Sequence, residues 1–123
     1  IATVYYKALR EATNSEILKK VCDRILIDEE MHINFQSFTL SRFYQNKSIF
    51  RKILIRSYHR ILMSGTTIIV WFCHNGVLKN GGFNFRSYYN AIFEEFNRAD
   101  RMIKGREEIS IKITRPELIH HEI

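Results

Sequence analysis

The chain reads as an all-α protein, and three observations carry that reading. Breakers are scarce, with 5 Gly and 1 Pro in 123 residues, so long segments run unpunctuated. Apolar residues recur at helical spacing along successive segments. Between those segments stand short polar stretches, "TNSE", "QNKS" and "KNGGFN", that suit tight connections between antiparallel helices.

Residues 1–13 read as the end of a helix, with Tyr5, Ala8, Leu9 and Ala12 on one face. Asn14 or Ser15 is placed to cap the next helix, which runs from about Glu16 to near Tyr44. A third helix begins near Ile49, with Ile53, Leu54, Tyr58, Ile61 and Leu62 among its apolar positions. "SGTT" at 64–67 predicts a kink, because Gly is a weak helix former and Ser and Thr compete for backbone partners. Asn75-Gly76 reads as its stop, and 79–84 as a loop. The fourth helix runs from Phe85 to Lys104, with Tyr88, Tyr89, Ile92, Phe93, Phe96, Ala99 and Ile103 on its apolar face and Gly105 ending it. "ISIKI" at 109–113 alternates like a short strand, and Pro116 suits the start of another helical turn. We therefore expect a helical domain over 1–105 and a tail or linker over 106–123.

With 46% hydrophobic and 13% aromatic residues, one domain can bury a real core. The longest apolar run, Ile68 to Cys73, is too short to cross a bilayer, so no membrane span is expected. Cys22 and Cys73 lack metal or redox spacing and read as reduced core residues, which points to the cytoplasm. No signal-peptide pattern opens the chain, and its start at Ile1, inside an apparent helix, suggests a piece of a longer protein.

The net charge is +6, unevenly spread. No acidic residue lies between Glu30 and Glu94. In that stretch Lys52, Arg56 and Arg60 recur at i, i+4, i+8 and form one basic ridge. The ridge reads as a solvated face or as a docking face for an acidic partner or phosphate-bearing substrate. No nucleic-acid recognition motif accompanies it.

The second helix carries the chemistry. Its stripe is Leu18, Cys22, Ile25, Glu29, His32, Gln36, in steps of 4, 3, 4, 3 and 4. Burying an ionised carboxylate there without a partner costs several kcal/mol, so a hydrogen-bond network, a salt bridge or a metal must compensate. Glu-x-x-His puts one oxygen and one nitrogen donor on a single turn, which suits a metal. A second copy, Glu117 to His120, has no long apolar stripe around it and reads as chance.

The stretch "ILIDEEMHINFQ", preceded by "YYKALREATNSEILKKVCDR", resembles the ferritin-like di-iron carboxylate superfamily. More narrowly, it is similar to the last two core helices of rubrerythrin-like proteins, acyl-carrier desaturases and ribonucleotide reductase small subunits. Those proteins share a four-helix bundle in which two helices each give one Glu and two give Glu-x-x-His. The resemblance covers about residues 1–44 and implies a ferritin-like bundle whose extra C-terminal helices follow the core. It makes Glu29 and His32 iron ligands, and Asp28 the carboxylate that hydrogen-bonds a ligand histidine.

Depth along the bundle extends this. Glu29 lies about 14 residues beyond the turn near Ser15, or roughly 21 Å. An opposing ligand on the antiparallel first helix then falls near or just ahead of Ile1. Glu11 sits about 15–18 Å too shallow. One Glu-x-x-His is thus expected here, with the remaining ligands outside the chain. Elsewhere, His59 reads as a boundary histidine and His74 as satisfying carbonyls at a helix end. Trp71 and Phe72 read as core, Tyr5 and Tyr6 as packing, and His120 and His121 as adventitious donors at most.

The resemblance therefore implies a non-haem di-iron oxidoreductase, with manganese also suited to such donors. It would act on O2 and a small-molecule or carrier-bound substrate. The alternative is a non-catalytic protein of the same fold, for iron handling or helical interaction. A homodimer that builds the site between two copies is a third arrangement.

Overall fold

The computed structural model describes the backbone of residues 1–114 and the side chains of residues 1–109. Four helices account for them: α1 (Ala2–Ala12), α2 (Glu16–Tyr44), α3 (Ile49–Asn80) and α4 (Phe85–Thr114). No strand occurs among the described residues, so the all-helical bundle expected from the sequence is present.

Each start has a chemical cause. The Ser15 hydroxyl accepts from Leu18 N–H at 3.3 Å, and Ser48 accepts from Arg51 N–H at 3.4 Å. At α4, Asn84 Oδ1 accepts from Ser87 N–H at 2.8 Å while Ser87 Oγ accepts from Asn84 N–H at 3.0 Å, a reciprocal box. The α3–α4 turn is a Schellman motif. Phe83 N–H donates to Leu78 C=O and Gly82 N–H to Lys79 C=O, with Gly82 at φ 87°.

The core gathers Val4 and Ala8 of α1, Leu78 of α3, and Tyr88 and Ile92 of α4. Burying Leu78 and Ile92 stabilises by about 1.5–3 kcal/mol each. α1 packs along the first half of α2 and against the end of α3, while α2 also packs on α4. At Gly81 the approach is close: an added Cβ would lie 2.4 Å from Ala8 O.

Four expectations are corrected. α3 continues past Asn75-Gly76 to Asn80, because Leu78 is a core residue that the extra turn delivers. Its kink lies at His74 (φ −127°, ψ 21°), not at 64–67. Thr66 and Thr67 donate to Leu62 and Met63 carbonyls without breaking the helix, whereas Asn75 Nδ2 takes the Phe72 carbonyl beside the kink. α4 runs through Gly105 to Thr114, so "ISIKI" is helical and no break separates 105 from 106. Cys22 is buried, but Cys73 and Phe72 are exposed, outside the core assigned to them. Pro116, Glu117, His120 and His121 lie outside the described residues.

As a whole helix, α3 is also long and apolar enough to cross a membrane, which the run Ile68–Cys73 alone does not reveal.

Candidate functional site

α2 presents its inner line as Cys22, Leu26, Glu29, Ile33, Ser37, Leu40 and Tyr44, each buried or half-buried. That line advances by about 3.7 residues per step, the pitch of a nearly straight helix, rather than 3.5. Glu29 stays on it. His32 does not: Ile33 takes the inner position, and His32 is exposed. At 100° per residue the two side chains leave α2 about 60° apart. His32 shares its outward face with Val21 and Phe35, which are 46% and 69% exposed.

Glu29 lines a half-open cavity of about 450 Å³ between α2, α3 and α4. Ile1, Ala2 and Thr3 close one end, so the start of α1 stands opposite Glu29, at the depth reckoned from the sequence. The walls are mostly apolar, with Ile33, Leu40, Leu62, Met63 and Phe96 among them. His59 also lines the cavity, closer to the site than a boundary histidine would be.

The carboxylates around Glu29 are neutralised and Glu29 is not. Arg98 donates to both oxygens of Glu30, at 2.9 and 2.8 Å, and to Glu95 at 2.8 Å. These bonds hold the Glu30 carboxyl below the usual range and the Arg98 guanidinium above its own. Lys7 lies 3.6 Å from Glu95. Asp28 lies 3.4 Å from Arg24, one turn back on α2. Among the described residues, no side chain forms an ion pair with Glu29 or His32.

The basic ridge turns toward α4. Lys52 Nζ reaches the buried Glu107 at 2.8 Å, and Arg56 reaches Glu107 at 3.2 Å and Asp100 at 3.1 Å. The Arg56 guanidinium also lies over the Tyr44 ring, 5.1 Å from its centre. Arg60 donates to Asn97 at 2.9 Å. Lys52 and Arg56 are thus met by carboxylates of α4 and Arg60 by a neutral amide, and Arg56 with Asp100 lines the far end of the cavity. Sequence reasoning missed Asp100 and Glu107 because they come from a distant helix; their i, i+7 spacing was the available signal.

Comparison with known proteins adds no family. No family model, curated protein or solved structure matches this chain.

The donors present are therefore judged on chemistry alone. Glu29 and His32 are of the types that iron or manganese takes. Among the described residues, however, no group of three or more His, Cys, Asp or Glu can hold an ion. Two donors diverging by about 60° do not by themselves form a metal centre.

Proposed function

We propose that α2 supplies Glu29 and His32 to a carboxylate-rich metal centre of the ferritin-like di-iron kind, completed by helices beyond these four. One juxtaposition carries the reading: an unpaired, half-buried carboxylate beside a histidine on an uncovered apolar face. A carboxylate in a cavity calls for compensating charge. An exposed stripe with Val21 and Phe35 calls for a covering layer. A helix laid on that face would bring its own donors to the edge where Glu29 and His32 meet. Two irons held there would supply O2 activation, and manganese fits the same donors. Asp28 sits one residue ahead of Glu29, on the outward side, to orient a histidine of the covering layer. The apolar cavity beside Glu29 suits a non-polar substrate, free or carrier-bound.

The test is metal content of the intact protein, purified with its covering helices. Iron or manganese is expected in near-stoichiometric amount. Glu29→Ala and His32→Ala should each lower it at least about tenfold, while the Arg98-paired Glu30→Ala keeps it. Retention of metal in both variants, or none in the native protein, overturns the reading. Substrate-dependent O2 uptake then separates an oxidoreductase from an iron-handling protein.

A second reading, a helical interaction protein, rests on the exposed apolar side chains of α2 and α3, among them Phe35, Ile61 and Phe72. The same measurement decides between them.

A further inference from the structure

The outer side of α3 carries a line that no neighbour covers: Phe50, Leu54, Ser57, Ile61, Gly65, Ile68 and Phe72, all exposed. It is about 33 Å long at 1.5 Å per residue and ends just before the His74 kink. Its composition is symmetric about Ile61. Four positions either side stand the small residues Ser57 and Gly65; seven either side stand Leu54 and Ile68; eleven either side stand Phe50 and Phe72. The flanks repeat the pattern, with Ile53 and Ile69 eight positions either side, 58% and 63% exposed.

A face that reads the same in both directions is complementary to itself when two copies run antiparallel about a two-fold axis. We propose that α3 pairs in this way with α3 of a second copy of this chain, Ile61 lying at the axis. Phe50 of each copy then meets Phe72 of the other, Leu54 meets Ile68, and Ser57 faces Gly65. The small pair lets the backbones approach where the large pairs would hold them apart. An added Cβ at Gly65 meets nothing within 4 Å in its own chain, so its open space faces outward.

Area supports a stable pair. Fully covered, the eight large side chains of the line and its flanks, Tyr58 included, would bury at most about 900–1,000 Å², the scale of the roughly 800 Å² per partner in a standard interface. Charge supports a protein partner over a bilayer. The inward side of the first half of α3 carries Lys52, Arg56 and Arg60, engaged with α4, so the line from Phe50 to Ile61 lies on a helix segment apolar on one side only, whereas 61–78 carries no charged residue.

This inference involves no residue of the Glu29–His32 site and stands or falls apart from it. The full chain, without detergent, is examined by sedimentation velocity up to about 50 µM, a range that detects ordinary dimers. A dimer is expected. Ile61→Arg sets two guanidinium groups together at the axis and should raise the dimer Kd roughly 100-fold. Gly65→Leu, which touches nothing in its own chain, should raise it at least about tenfold with helicity unchanged. Ile61→Cys with Cys73→Ser should cross-link to itself on mild oxidation. A monomer at the highest concentration overturns the proposal, as does a dimer indifferent to Gly65→Leu and unable to form the cross-link. Flotation of a monomer with phosphatidylcholine vesicles overturns it in favour of a lipid surface.

Discussion

Glu107 anchors the lower half of α4, and its removal gives a defined test of the ionic cluster. Its side chain is 8% exposed and meets both Lys52 and Arg56, whose side chains keep 19% and 24% exposure. Arg56 Nε lies 3.1 Å from Asp100 Oδ1 without the alignment of a hydrogen bond, so Glu107 is the better-aligned partner. Removing one member of a fully buried pair costs about 3–5 kcal/mol. Water still reaches the two cations, so we expect about 2 kcal/mol for Glu107→Gln. For a domain of this size that lowers Tm by roughly 6–12 °C. Urea unfolding should show a lower midpoint with the slope unchanged. A double-mutant cycle with Arg56→Met should give a coupling of at least about 1 kcal/mol. A loss below about 0.5 kcal/mol, or additive single effects, would refute the reasoning: the cluster would then be a solvated surface pair.

Two further outcomes follow from geometry. Gly81→Ala drives a Cβ to 2.4 Å from Ala8 O and 2.7 Å from Ala8 Cα, so α1 must shift. We expect a loss of about 1–3 kcal/mol in urea melts, while Gly76→Ala, open on all sides, is neutral or stabilising by up to about 1 kcal/mol. The Glu30–Arg98 bonds predict acid sensitivity. The folded Glu30 value is depressed, so its contribution is full above the unfolded value of about 4.3 and fades as pH falls through the folded value. The stability gap between wild type and Glu30→Gln should therefore be present at pH 7 and close below about pH 4; a gap constant down to pH 2 would contradict it.

Helix starts were legible because they are local chemistry. Ser15 sits where a cap is needed and binds Leu18 N–H, as its sequence position suggests. Helix ends were less so. Gly76 and Gly105 look like stops, but a glycine ends a helix by taking positive φ, and among the described residues only Gly82 does. What carries α3 onward is Leu78, and what holds α4 beyond Gly105 is Glu107 on Lys52 and Arg56. Both are tertiary facts. The site shows the same division. Glu29 is inward at either a 3.5 or a 3.7 repeat, so the sequence placed it correctly. His32 is inward only at 3.5, and fifteen residues of drift were enough to give its position to Ile33. The basic ridge was visible from spacing, but its acids lie over forty residues away and no local pattern points to them.

The core cluster joins the first and last parts of the described chain, Val4 and Ala8 with Tyr88 and Ile92. This has a consequence for synthesis on the ribosome. α1 emerges early yet cannot be covered until α4 has been made, some 80 residues later. At about 5–20 residues per second that interval lasts on the order of 4–16 s. For most of it the apolar side of α1 has only α2 for shelter; the end of α3 then brings Leu78 and Gly81 to it, and Tyr88 and Ile92 of α4 complete the cover.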